Sequence, residues 1–75
     1  MKRVEIHWRD SHRYTYQMED ASEVDITIIK SVGWLVSQDK HKVIICQDDI
    51  NGDLRGVMAI PRENILKVNP PSLGI

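Results

Sequence analysis

Apolar and polar positions alternate cleanly at the start of the chain, where "VEIHWRD" sets Val4, Ile6 and Trp8 to one side and Glu5, His7 and Arg9 to the other. A period of two over this length predicts a half-buried β-strand. The polar segment "SHRYTYQMEDASEV" carries no sustained period and predicts a long loop, with Tyr14-Thr15-Tyr16 as a brief strand within it. "DITIIKSVGWLVSQ" is rich in β-branched residues and too long for a flat strand. Ile26, Ile28, Val32, Trp34 and Val36 share one parity while Ile29 and Leu35 share the other. That predicts a bent strand with both faces partly covered. Gly33, without a Cβ, marks the bend, and Trp34 is expected to fill the core beside it.

The remaining elements are short. "DKHK" predicts a turn joining the long strand to "VIICQ" as a hairpin. "DDINGDLRG" reads as a loop turned at Asn51-Gly52. "VMAI" is a strand ended by Pro61, "PREN" a single helical turn, and "ILKV" the last strand. Pro70 and Pro71 close the ordered region, leaving residues 70 to 75 as an expected flexible tail.

The order of these pieces resembles a known layout. "SVGWLVSQDKHKVIIC" is similar to the long bent second strand and hairpin of SH3-like and Sm-like barrels, and "AIPRENILKV" to their proline-led turn and closing strand. The resemblance implies an all-β fold: a single small five-stranded SH3-like or Sm-like barrel over residues 1 to 69, with one 3-10 turn before the last strand. It does not imply binding of proline-rich peptides, because Trp34 lies inside a strand rather than at the start of a later one. Trp8, Asp10, Ser31 to Val36, Asp39, Ile60, Pro61 and Ile65 also form a pattern that resembles small uncharacterised phage and prophage proteins. That likeness implies a non-enzymatic accessory protein in the cytoplasm of a bacterial host. Proteins of this kind bind host proteins, nucleic acid or defence-signalling nucleotides.

Composition narrows the chemistry. With 75 residues there is room for one core, and the single cysteine, Cys46, excludes a disulfide within the chain. One unpaired thiol fits a reducing cytoplasm, and no apolar run has the roughly 20 residues of a membrane helix. A formal net charge of −1 does not suit a protein that coats DNA. The sum conceals a polarity: residues 2 to 13 carry Lys2, Arg3, Arg9 and Arg13 against Glu5 and Asp10, while residues 19 to 25 carry Glu19, Asp20, Glu23 and Asp25 without a base.

Catalytic signatures are missing. There is no Gly-x-Ser-x-Gly elbow, no phosphate-cradling glycine loop and no HExxH. His7, Asp10 and His12 have the donor chemistry of a metal site, but a strand sets His7 and His12 on opposite faces. No enzyme, metal or cofactor is expected. Arginine and aromatic residues point instead to a small phosphate-bearing ligand, a signalling nucleotide for example, held stoichiometrically. Arg9 and Arg13 would grip phosphate bidentately, Trp8, Tyr14 or Tyr16 would stack, and Lys42 and Arg62 would add charge from loops. The alternatives are a protein-interaction module that blocks a host protein or serves assembly, and Sm-like RNA binding. Open strand edges at "VMAI" or "ILKV" further suggest a homo-oligomer.

Overall fold

A computed structural model describes residues 1–10 and 27–75. The described residues are all-β: strands β1 (Arg3–Asp10), β2 (Thr27–Gln38), β3 (Lys42–Cys46), β4 (Asp48–Ile50), β5 (Asp53–Arg55), β6 (Met58–Pro61) and β7 (Ile65–Asn69), with 3-10 turns at Arg62–Asn64 and Pro71–Leu73. Five strands form one antiparallel sheet in the order β6-β3-β2-β1-β7, and β4 and β5 form a separate two-stranded sheet.

This sheet is open. β6 and β7 stand at its two edges and no ladder joins them, so the expected barrel is corrected to an open sheet. The Arg62 N–H bonds the His41 carbonyl at 2.9 Å, one step beyond the Lys42–Pro61 pair, so β6 stays with β3 to its end. After the three-residue turn the chain leaves β6 and pairs with β1 instead. The strand count differs as well, because the expected loop at residues 48 to 55 is the hairpin β4–β5. Its turn is where Asn51-Gly52 placed it, with positive φ at both residues (53° and 90°). The hairpin is a continuation of β3–β6 beyond a break at Gln47 and Gly56, where the Gln47 N–H reaches the Arg55 carbonyl at 3.0 Å.

The core is made by the inward parity of β1 and β3. Val4, Ile6, Val43, Ile45 and Ile60 are buried together, and Trp8, Leu35, Ile65 and Val68 pack against them. Each such aliphatic side chain contributes about 1.5–3 kcal/mol by leaving water. Leu73 and Ile75 also pack on this cluster, so the segment after Pro70 folds back over the core rather than trailing away.

β2 carries the largest departure from its pattern. The inward positions at its centre are Ser31 and Gly33, both buried, while Ile28, Val32 and Trp34 are 55%, 40% and 39% exposed. Trp34 therefore does not fill the core. Small residues face inward because their neighbours need the room. The indole Nε1–H of Trp8 donates to Ser31 Oγ at 3.0 Å, which satisfies a polar group that burial would otherwise penalise. At Gly33 a Cβ would overlap the carbonyl oxygen of Cys46, so the glycine permits β3 to pass close by. The irregularity in the β2–β3 pairing lies between Leu35 and Ser37, not at Gly33. β2 simply changes partner there, running with β1 up to Trp34 and with β3 from Trp34 onward.

Candidate binding face

Residues opposite each other in an antiparallel ladder project to the same side of the sheet. The β1–β2 register sets Arg3 beside Trp34, Glu5 beside Val32, His7 beside Lys30 and Arg9 beside Ile28, all on the side away from the core. β7 adds Asn69 next to Glu5 and Lys67 next to His7. The outer face of β7-β1-β2 is thus an array of four cations, Arg3, Arg9, Lys30 and Lys67, around the one carboxylate Glu5 among the described residues. Trp34, Val32 and Ile28 line its β2 margin.

Glu5 organises the middle of the array. His7 Nε2 donates to its Oε1 at 2.7 Å and Lys30 Nζ lies 3.5 Å from the same oxygen. The hydrogen bond from His7, then the Lys30 charge and the Asn69 side chain, hold the Glu5 carboxyl below its ordinary value, against a smaller opposing effect of burial. A carboxyl depressed in the fold adds stability above its ordinary pKa of 4.5, and that stability is lost as pH falls through the lower folded value. Glu5→Gln is accordingly expected to lower the urea midpoint near neutral pH and to flatten its acid dependence, the two proteins converging below about pH 5 where the Glu5 contribution is lost. Part of the acid dependence will remain, because Asp39 is lowered too by the backbone N–H groups of His41 and Lys42. A variant whose acid limb matches that of the unmodified protein would show that Glu5 is not held as described.

Arg3, Arg9 and Lys67 have no ion pair among the described residues. Among the described residues they are the cations of this face left available to a ligand. Arg3, Glu5, Val32, Asn69 and Pro70 line an open groove of about 380 Å³, within the size range of small-molecule sites. A second cavity of about 290 Å³ lies at the Trp34 margin between Met1, Trp34 and Asp49.

The residues singled out from the sequence are dispersed. Arg9 is on the outer face, and its carbonyl accepts from Asn64 Nδ2 at 2.9 Å. Trp8 projects to the opposite, inner side, where its ring packs on the core and its N–H is taken by Ser31. Lys42 and Arg62 come together at the β2–β3 turn, but both are engaged there. Arg62 donates from Nε to the Asp39 carbonyl (2.8 Å) and from Nη2 to Gln38 Oε1 (2.7 Å), and Lys42 Nζ lies 3.4 Å from Asp39 Oδ2. Arg62 thereby latches the 3-10 turn onto the hairpin. Arg13, Tyr14 and Tyr16 lie outside the described residues, as does the acidic stretch 19 to 25.

Lys30, Lys67 and Trp34 escaped the sequence-based selection. Lys30 and Lys67 are each the lone charge of their strand, and only the register of two separate ladders brings them beside Arg3 and Arg9. A signal was present: Arg3, His7 and Arg9 occupy the polar parity of β1 with Glu5, so any basic residue opposite them would extend the patch. Among the described residues no group of three His, Cys, Asp or Glu side chains gathers as a metal site, and no helix is long and apolar enough to cross a membrane. Comparison with protein families, curated proteins and solved structures finds no match to this chain.

Proposed function

We propose that the protein is a non-enzymatic binding protein whose outer sheet face captures a small phosphate-bearing ligand. The observation that carries this reading is the one-sided array of Arg3, Arg9, Lys30 and Lys67, three of whose cations have no ion pair among the described residues. Arginine presents paired donors that match phosphate oxygens, and lysine adds point charge at either side. The groove at Arg3 and Asn69 would seat the phosphate, and Trp34 beside Arg3 offers an aromatic surface to any planar part of the ligand. Trp8 is not part of this site, since its indole N–H is bonded to Ser31 on the inner side of the sheet.

A second reading, an interaction surface for another protein chain, is supported by the exposed Ile28, Val32 and Trp34 along the same margin. The two readings separate by titration. Inorganic tripolyphosphate is expected to bind with an affinity that falls steeply between about 50 mM and 200 mM salt, as cation–phosphate contacts require. Absence of any heat or spectral change with tripolyphosphate at low salt would remove the phosphate reading and leave the protein-interaction one.

A further inference from the structure

The β4–β5 hairpin extends the β3–β6 pair beyond Gln47 and Gly56 and stands largely exposed among the described residues. It forms a two-stranded sheet of its own, five of its six strand residues are exposed, and Leu54 alone is half-buried. Two strands projecting beyond the main sheet bury little of their own surface, and a surface laid on them would add to their stability. Its register sets Asp48 opposite Arg55 and Ile50 opposite Asp53, so these four side chains share one side. Ile50 is 56% exposed, next to the turn. Arg55 is held internally, Nη2 lying 2.7 Å from Asp53 Oδ2. That side of the hairpin therefore presents Asp48 and Asp53 against a single arginine, with Ile50 near its tip, while Asp49 projects from the other side with Leu54.

That is the chemical complement of the outer face. The face has an excess of cations and exposed apolar residues along β2, and the hairpin has an excess of carboxylates around Ile50. The two are also contiguous, since Asp49 and Trp34 line one cavity with Met1. We infer that two copies of the chain pair reciprocally, the acidic hairpin of each lying on the basic outer face of the other. A two-fold axis near the shared Trp34–Asp49 margin makes the contact closed and self-complementary, so that both hairpins are covered at once. The inference rests on the reading of the outer face as the binding surface and names a second copy as its occupant. It also makes pairing and phosphate capture compete for the same cations.

The test uses two charge-reversed proteins in analytical ultracentrifugation at low salt. One carries Arg3→Glu and Lys30→Glu on the face; the other carries Asp48→Lys and Asp53→Lys on the hairpin, leaving Asp49 to cap the turn through Gly52 N–H. The unmodified protein is expected to sediment as a dimer. Each variant alone is expected to self-associate at least ~10-fold more weakly, since like charges then meet at both contacts. An equimolar mixture of the two variants is expected to recover the dimer, because every face then meets a hairpin of opposite charge. A mixture that stays monomeric, or variants that pair as well as the unmodified chain, would overturn the inference. Should a reversed protein fail to fold, Ile50→Glu reads the same contact: weaker pairing supports it and unchanged pairing overturns it. Tripolyphosphate added to the unmodified protein tells the two proposals apart. Phosphate binding by a chain that never pairs retains the phosphate reading and rejects pairing. A dimer indifferent to phosphate retains pairing and rejects the phosphate reading.

Discussion

Gly33→Val is expected to leave the protein largely unfolded, and Gly33→Ala to lower its stability by about 3 kcal/mol or more. The cause is steric. A Cβ at this position would overlap the carbonyl oxygen of Cys46, with the carbonyl carbon and a terminal methyl of Ile45 next in line. The obstacle is backbone in β3, which is anchored on both sides by ladders to β2 and β6 and has no rotamer in which to retreat. A domain of this size has only about 4–11 kcal/mol of total stability, so one such clash removes a large share. Urea denaturation followed by tryptophan emission checks it. A Gly33→Ala protein within about 0.5 kcal/mol of the unmodified chain would mean that β3 does not approach β2 this closely.

The second large effect concerns binding. Replacing Arg3, Lys30 and Lys67 together by glutamate is expected to weaken tripolyphosphate binding by at least ~100-fold in a protein that remains folded, as circular dichroism checks. Hydrogen bonds to charged groups contribute about 1.5–3 kcal/mol each, and 1.4 kcal/mol is tenfold in affinity. The loss of two such contacts already accounts for the figure, and the reversed charges add repulsion. These three residues are exposed, and the substitutions remove no core contact. The matched control reverses Lys40 and Lys42 at the β2–β3 turn, which lies outside the array, and is expected to leave affinity within about 3-fold after allowance for net charge. Equal losses in both proteins would indicate attraction by overall charge rather than a site.

Much of the secondary structure was legible because local chemistry determined it. The alternation of β1, the Asn51-Gly52 turn, the hairpin at Asp39 to Lys42 and the single turn after Pro61 all follow from neighbouring residues. Asp39 shows why: its Oδ1 accepts the N–H groups of His41 and Lys42 at 2.7 and 2.9 Å, a turn device within four residues. The faces of β2 were not legible. Hydrophobicity assigns Ile28, Val32 and Trp34 to the core, but the inward side is taken by Ser31 and Gly33, which accommodate Trp8 and the Cys46 carbonyl. Those partners lie 23 and 13 positions away in sequence, so no local pattern reveals them. Closure of the sheet is likewise a long-range property: the layout of strands is compatible with a barrel, and only the pairing of β6 and β7, absent here, would make one.

The site was half legible for the same reason. Arg9 belonged to the selection and lies on the basic face, whereas Trp8, chosen for stacking, is turned inward by the alternation that makes β1 a strand. Arg62 and Lys42 look like free loop cations in the sequence. In the fold they secure Gln38 and Asp39. Trp34, assigned to the core by its neighbours' hydrophobicity, is the aromatic residue that the outer face presents.

The most direct test is an NMR titration of the isotope-labelled protein with tripolyphosphate at low salt, read residue by residue. Binding at the outer face predicts that the largest shift changes fall on Arg3, Glu5, His7, Lys30 and Lys67 and on the Trp34 indole, with the Trp8 indole and residues 40 to 42 nearly still. Shift changes concentrated at Lys40 to Lys42 and Arg62, or no saturable change anywhere, would contradict the assignment of the β7-β1-β2 face as the binding surface.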